Sequence, residues 1–358
     1  MLTRGWMEVD LDALVRNARA LRDRSRVPLV PMIKADAYGL GAVDVAGALE
    51  QLDPHAYGVA TVAEGEELRG AGISRQIIVF TPLLEEDFRR AHEARLTPTL
   101  GSVRAIEAWT KYGSAYDLSI DTGMARAGVP WREVESLLPV LSKHPPAGAF
   151  THFHSAGMND GSMEEQEARF EEAISHLPNR PQVLHTDSSA AIVRHSESAW
   201  DAVRPGIFMY GVGSGAGAQI EPDCVVYVKA PVVEIRRVET GDSVSYDAAW
   251  KATSPRSIAT IPLGYGDGYP RNAGAAGVGI VRGQAVPITG RVTMDMIMLD
   301  VTDTGAEIGD VVTVIGDAAA ANAPIDIASV AEIAGMSPYE LLTGLRGRLE
   351  RIYRVGAR

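Results

Sequence analysis

The chain carries one cysteine, Cys224, in 358 residues. A single thiol excludes an internal disulfide and any cysteine-based zinc centre. Within "PDCVVYV" it reads as a small core residue. No run of about 18 apolar residues occurs, so no membrane-spanning helix is expected. Basic residues are the minority: 34 Lys and Arg against 46 Asp and Glu give a net charge of −12. That balance opposes broad binding to nucleic acid or to an anionic membrane, both of which want a basic face. It leaves room for a local basic pocket around one small anion. The opening "MLTRGWMEVDLDALV" lacks the apolar run of a signal peptide, so a cytoplasmic protein is expected. No low-complexity linker is visible.

What is present is a large apolar fraction, 46% of residues, in a chain longer than the size at which single cores usually divide. Two domains are expected, over residues 1–225 and 226–358. The first part alternates strand-like and helix-like segments. Candidate strands are "LVPMIK", "AYGVA", "QIIVF", "TPTL", "YDLSID", "GAFTHF", "QVLHT" and "IFMYG". Amphipathic segments such as "AVDVAGALEQL" and "SMEEQEARFEEAISHL" lie between them. A further helix precedes the first strand, with Leu11, Leu14, Val15, Ala18 and Leu21 on one face. Repeated strand–helix units imply parallel strands, and eight of them suit a (β/α)8 TIM barrel. An open doubly wound sheet would show a Gly-rich first turn, which does not follow "LVPMIK". Pro31 sits awkwardly in that first strand. From about residue 225 the strands are separated by Gly and Asp turns without helices, which reads as a mainly antiparallel β domain. "IDIASVAEIAG" and "SPYELLTGLRGRLERI" read as closing helices.

Barrel sites form at the C-terminal ends of the strands. Those ends carry Lys34, then "DTGMARAG" with Asp121 and Arg126, then His152 and His154, "HTDSSAA", and "VRPG" with Arg204. A lysine at the end of an apolar strand is partly dehydrated, which lowers its pKa and favours a nucleophilic amine. A surface lysine that snorkels is the plain alternative. The serines of "TDSSAAIV" and Gly206 of "RPGI" offer an anion cradle, although Ser188 or Ser189 also suits an ordinary helix cap. A reactive lysine beside a phosphate cradle points to pyridoxal phosphate, held covalently by Lys34.

"IKADAYGLG", "DTGMARAG", "THF", "VRPGIFMYG", "VSYDAAW", "IPLGYGDGY", "GRVTMDMIMLD" and a near-terminal "YRV" occur here in the order found in alanine racemases, so the chain resembles that family over its whole length. The resemblance implies a barrel followed by a β domain, a homodimer with active sites at the subunit interface, pyridoxal 5′-phosphate, and alanine as substrate. It implies interconversion of L- and D-alanine to supply peptidoglycan. Lys34 resembles the cofactor-binding lysine. Tyr38 and Tyr353 resemble the tyrosines near the phosphate, with Ser189, Gly206 and Ile207 as its other ligands. His152 resembles the histidine behind the pyridine ring, and Arg204 the arginine facing the ring nitrogen. Arg126 and Met294 look like contacts to the substrate carboxylate, with Asp295 beside them and Tyr265 at the entrance. Tyr246 resembles the second base, contributed by the other subunit together with Met294. The family assigns the D-side proton to the lysine and the L-side proton to the tyrosine. A phenol titrates ordinarily near about 10, so such a base needs a cation nearby. Taken alone, Tyr246 reads as a core tyrosine of the β domain.

Some positions depart from the family pattern. Ser119 stands where many relatives carry a lysine, often carbamylated, that orients the motif arginine. Leu40, Asp247 and Thr293 also differ. Other readings remain open: a broader or serine-directed racemase, a related decarboxylase, a non-enzymatic pyridoxal-phosphate carrier, and a metal-dependent barrel hydrolase using His152, His154, His185 and Asp187. Arg204 argues against the decarboxylase, and the β domain against the carrier. Histidine pairs of barrel hydrolases usually lie on strand one, and no metal is expected.

Overall fold

A computed structural model describes residues 3–195, 197–215, 218–317, 322–345 and 347–356. Parallel strands Ala56–Val59, Gln76–Val79, Thr97–Leu100, Asp117–Asp121, Gly148–Phe150, Val183–Ser188 and Ala202–Arg204 follow one another in space as in sequence. They are short and nearly continuously buried, as expected for strands covered on both faces. Residues 29–33 close the ring. Val30 and Met32 donate to the carbonyls of Val203 and Pro205, while Gly58 donates to Pro31 and Ile33 donates to Gly58. Only isolated bridges form there, Leu29 to Val203 and Met32 to Gly58. Pro28 and Pro31 bring no N–H to the ladder, so this stave, first in the sequence and eighth of the ring, is a broken one.

The helices outside the ring bury the expected stripe. In Leu11–Ser25 the buried residues include Leu11, Leu14, Val15, Ala18 and Leu21, and Asp10 caps the start by accepting from the Ala13 amide. The motif "IFMYG" corrects the sequence reading. Residues Ile207–Tyr210 form a fully buried 3-10 turn, and the last barrel strand is Ala202–Arg204. A short apolar run carries no periodicity that separates a strand from a buried turn.

The second domain is built on a six-stranded sheet in the order Gln284–Pro287, Val278–Val281, Val311–Ile315, Val226–Pro231, Trp6–Asp10, Glu350–Arg354. The N-terminal strand therefore belongs to this sheet and not to the barrel. It pairs antiparallel with Val226–Pro231 and parallel with Glu350–Arg354. The last of these also corrects the expected terminal helix. That helix spans only Pro338–Gly344, and the chain then turns through Gly347 at φ +85° into a strand. Three further strands, Glu234–Val238, Arg256–Ile261 and Ile297–Asp300, form a separate sheet. A small hairpin pairs Ser243–Val244 with Trp250–Lys251 and carries Tyr246 at its tip. Among the described residues no helix is long and apolar enough to cross a membrane.

Because Met7 lies fully buried between two strands of the second sheet, Met7→Ala is expected to lower unfolding free energy by about 2–5 kcal/mol in a denaturant titration. A cost below about 0.5 kcal/mol would contradict this placement of the N-terminal strand.

Candidate active site

A cavity of about 430 Å³ opens at the C-terminal ends of the barrel strands. Its lining includes Lys34, Tyr38, Ser119, Arg126, His152, Ser189, Arg204, Gly206 and Ile207, all singled out from sequence. Lys34 follows the broken first stave and opens a turn of unusual hand. Ala35, Asp36, Ala37 and Tyr38 have φ between 52° and 56°, followed by Gly39 at 90° and Gly41 at 98°. Left-handed conformation costs a non-glycine residue roughly 1–2 kcal/mol. Four in succession persist only where their surroundings hold them. Glu64 satisfies the start of the turn: its carboxylate accepts from Ala35 at 2.8 Å and from Ala60 at 2.7 Å. It also completes a capping box with Thr61 for helix Val62–Gly70.

The Lys34 amine is half-buried. Burial pushes its pKa below the ordinary lysine value, the cations Arg126 and Arg204 push the same way, and Glu64 opposes them. Its neutral form is therefore easier to reach than that of a solvated lysine.

Arg204 is nine-tenths and more buried, at 4% exposure. Nη1 donates to His185 Nδ1 at 2.7 Å and to the His185 carbonyl at 2.6 Å. Nη2 donates to the carbonyls of Thr151 and Thr186 and lies 3.4 Å from His152 Nδ1. His185, fully buried, has its Nε2 3.3 Å from Asp117 Oδ2, so the imidazole relays the guanidinium to a carboxylate 68 residues earlier in the chain than itself. Burial lowers the His185 pKa to about 4, and the ring is neutral, accepting from Arg204 and donating to Asp117. Arg204 itself falls to about 10 through burial and keeps its charge. Its Nε–H has no partner among the described residues and belongs to a side chain that lines the cavity. His152, also on the cavity, is lowered to about 3 by burial first and then by Arg204, Arg126 and Lys34. It presents a neutral ring.

At the other end, Ser189 Oγ accepts from the amides of Gly206 at 2.8 Å and Phe208 at 3.4 Å. It is thus a brace between two loops, and Ser188 makes no side-chain cap bond. A Cβ on Gly206 would lie 2.7 Å from the Tyr38 hydroxyl, so glycine keeps this corner open. Tyr38 stacks on Tyr210 with ring centroids 4.6 Å apart, and Tyr210 donates to the Met32 carbonyl. Asp121 shapes the "DTGMARAG" loop by accepting from the amides of Gly123 and Ala125. Arg126 is exposed on that loop and has no hydrogen bond or ion pair among the described residues, with the short hydroxyl of Ser119 on the same cavity wall.

Five residues named from sequence lie elsewhere. Tyr353 does not line the cavity; its hydroxyl donates to the Leu40 carbonyl at 3.0 Å, on the outside of the left-handed turn. Tyr339, which the sequence reading passed over, lines the cavity instead, its ring 6.0 Å from that of Tyr38. Only the folding of helix Pro338–Gly344 against the turn brings it there. Tyr246, Met294 and Tyr265 are exposed at 68%, 53% and 40%, away from the cavity of their own chain. Asp295 pairs with Arg348 at 2.6 Å, and Arg348 also reaches Asp267 at 2.9 Å. The histidines weighed as metal ligands are dispersed: His185 is engaged as above, and His154 is exposed beside Ser155. Among the described residues no group of three or more such side chains is placed to hold a metal.

The architecture defines a class: a (β/α)8 barrel with a partly buried lysine of lowered pKa in a cavity at the barrel mouth and a β domain appended. The family profiles for the alanine racemase N-terminal domain and C-terminal domain match residues 9–214 and 225–353. The chain belongs to the alanine racemase family. It is 34% identical to the alanine racemase of Sorangium cellulosum, covering 97% of this chain and 98% of that one. It is 35% identical to that of Geobacter sp. strain M21 over 97% and 98%. Among solved structures, alanine racemase from Bartonella henselae with covalently bound pyridoxal phosphate superposes with a TM-score of 0.89 at 28% identity, over 99% of this chain and 100% of that one.

In cofactor-free protein, Lys34 is expected to reach half-maximal reactivity toward an amine-acylating reagent below pH 10.5. Arg126→Ala removes a cation and is expected to move that midpoint up, and Glu64→Gln to move it down. Peptide mass spectrometry across a pH series reads both, and shifts of opposite sign would contradict the charge assignment.

Proposed function

We propose that the chain interconverts L-alanine and D-alanine with pyridoxal 5′-phosphate, as a homodimer in which Lys34 and Tyr246 of the partner subunit are the two bases. The reading places it in the cytoplasm, supplying D-alanine for peptidoglycan. The observation that carries it is the convergence, in one cavity, of a desolvated amine, an unpartnered Arg204 Nε–H and a glycine-opened cradle. These fit the cofactor. Lys34 would hold its aldehyde carbon, Tyr38, Ser189, Gly206 and Ile207 its phosphate, Arg204 its ring nitrogen, and the neutral His152 a face of its ring. When bound, pyridoxal phosphate supplies an electron sink that makes the Cα proton of an attached amino acid removable.

The chain's own residues divide the remaining work. Arg204 has no lone pair to receive a proton, so it holds the ring nitrogen as an acceptor and limits how far charge is drawn into the ring. That restraint favours returning the proton over side reactions. Arg126, free of internal partners, binds the substrate carboxylate, with Met294 from the partner beside it. Lys34 Nζ moves the proton on the D side of Cα and Tyr246 Oη the one on the L side. One barrel mouth offers groups on one face only. The exposed Tyr246, Tyr265 and Met294 of the β domain are available to complete a neighbouring mouth. Ser119 favours a second possibility, broader substrate use including serine, because its short side chain leaves Arg126 unbraced.

Alanine in deuterated water is expected to lose its Cα proton signal and its optical rotation together, whichever enantiomer is supplied. Release of alanine's carboxylate as carbon dioxide, or no exchange, would contradict the reading. Lys34→Ala and Tyr246→Phe chains should each be inactive alone. Mixed and allowed to re-associate, they should recover up to about a quarter of wild-type sites, because each heterodimer holds one intact site. No recovery would place both bases in one chain. A panel of alanine, serine and larger amino acids ranks the substrates.

A further inference from the structure

We infer that Arg351, on the last strand of the second domain, is a positioning residue for the cofactor site, acting through Asp36 on the left-handed turn that carries Lys34 and Tyr38. This deepens the proposed function and rests on its cofactor assignment. The turn presents two groups assigned to opposite ends of the cofactor, Lys34 to the aldehyde and Tyr38 to the phosphate. A backbone in this conformation relaxes unless it is held.

The holding contacts come from more than one side. Glu64 of the barrel caps the Ala35 amide at the start. The others come from the turn's own exit and from the C-terminal segment. Asp36 Oδ1 accepts from the Ala42 amide at 2.8 Å, while Oδ2 pairs with Arg351 Nη2 at 2.5 Å, across 315 residues of sequence. The Tyr353 hydroxyl donates to the Leu40 carbonyl. Arg351 and Tyr353 are two residues apart on one strand and so share a face, the one laid over the turn. The approach is close: a Cβ on Gly39 would lie 2.6 Å from the Leu342 carbonyl oxygen, and one on Gly41 would lie 2.0 Å from the Tyr353 hydroxyl. Neither Arg351 nor Tyr353 lines the cavity. Their effect on the cofactor must pass through the turn.

The test titrates cofactor-free protein with pyridoxal 5′-phosphate. Visible absorption reads affinity, borohydride reduction and peptide mass spectrometry read attachment at Lys34, and the melting temperature of the cofactor-free form is measured in parallel. Asp36→Asn keeps the Ala42 bond and loses the ion pair, and Arg351→Gln loses the cation. Each is expected to weaken cofactor affinity about tenfold, and the double variant to be no worse than either single one, since both break one interaction. Arg351→Lys should recover part of the loss. The cofactor-free melting temperatures should stay within about 2 °C of wild type. Wild-type affinity in Arg351→Gln, multiplying losses in the double variant, or a cofactor-free melting temperature that falls in step with affinity would each overturn the inference. Absence of uptake on Lys34 by the wild type would overturn the cofactor reading itself.

Discussion

The arrangement of this protein depends on a left-handed turn of four non-glycine residues between the first barrel stave and helix Ala42–Leu49. The turn ends the stave and brings the Lys34 amine and the Tyr38 hydroxyl to one cavity. It is unfavourable in isolation, so the fold on either side must supply the contacts that hold it. Glu64 does so from the barrel, and Asp36, Leu40 and the two glycines meet the C-terminal segment from the second domain. A barrel alone would keep the Glu64 contact and lack those with the C-terminal segment. The β domain is thus part of the site's support as well as the source of Tyr246. That tyrosine is itself flanked by left-handed residues, Ser245 at φ 71° and Asp247 at φ 60°. Both proposed bases ride on backbone that is costly to form, a common property of functional loops.

Charge follows a second constraint. The chain is acidic overall, yet the charged residues on the cavity wall are Lys34, Arg126 and Arg204 against Asp121. Unneutralised, Arg204 would be expensive to bury. Its Nη donors meet three carbonyls, the neutral His185 imidazole that leads to Asp117 and, at 3.4 Å, the His152 Nδ1, so its charge is solvated by protein and the Nε–H has no partner among the described residues. The neutral His152 adds no further cation. The excess of positive charge on this wall suits an anionic ligand, while the net charge of −12 does not attract polyanions to the surface at large.

The interleaving of the two domains follows from where the chain begins and returns. Residues 6–10 enter the second sheet before the barrel is built, and residues 350–354 pair beside them at the end. The barrel's sequence is bracketed by two paired strands of that sheet, Trp6–Asp10 before it and Val226–Pro231 after it. Lys229, Glu8 and Arg354 form a charged cluster across the same three strands. This tie sets the last strand, with Arg351 and Tyr353, against the left-handed turn.

What the sequence by itself determined was local: the barrel's strand–helix period, the change of pattern near residue 225, and the residues at strand ends whose chemistry is written in short motifs. Lys34, His152, Ser189, Arg204 and Gly206 were legible because each sits within two residues of the end of a strand, and strand ends of a barrel converge by construction; Tyr38 and Arg126, five residues past theirs, were carried by the motifs "IKADAYGLG" and "DTGMARAG". The closed turn at Ile207–Tyr210 and the strand at Glu350–Arg354 were misread because an apolar run of four, or an amphipathic stretch rich in Arg and Leu, suits more than one conformation until neighbours choose. Tertiary structure alone decided that Tyr339 and not Tyr353 reaches the cavity, that His185 serves Arg204 and Asp117, and that Asp36 meets Arg351. Those partners are separated by 19 to 315 residues. No periodicity or motif spans such distances, because a pairing between remote side chains is set by how whole elements pack and not by the residues that lie between them.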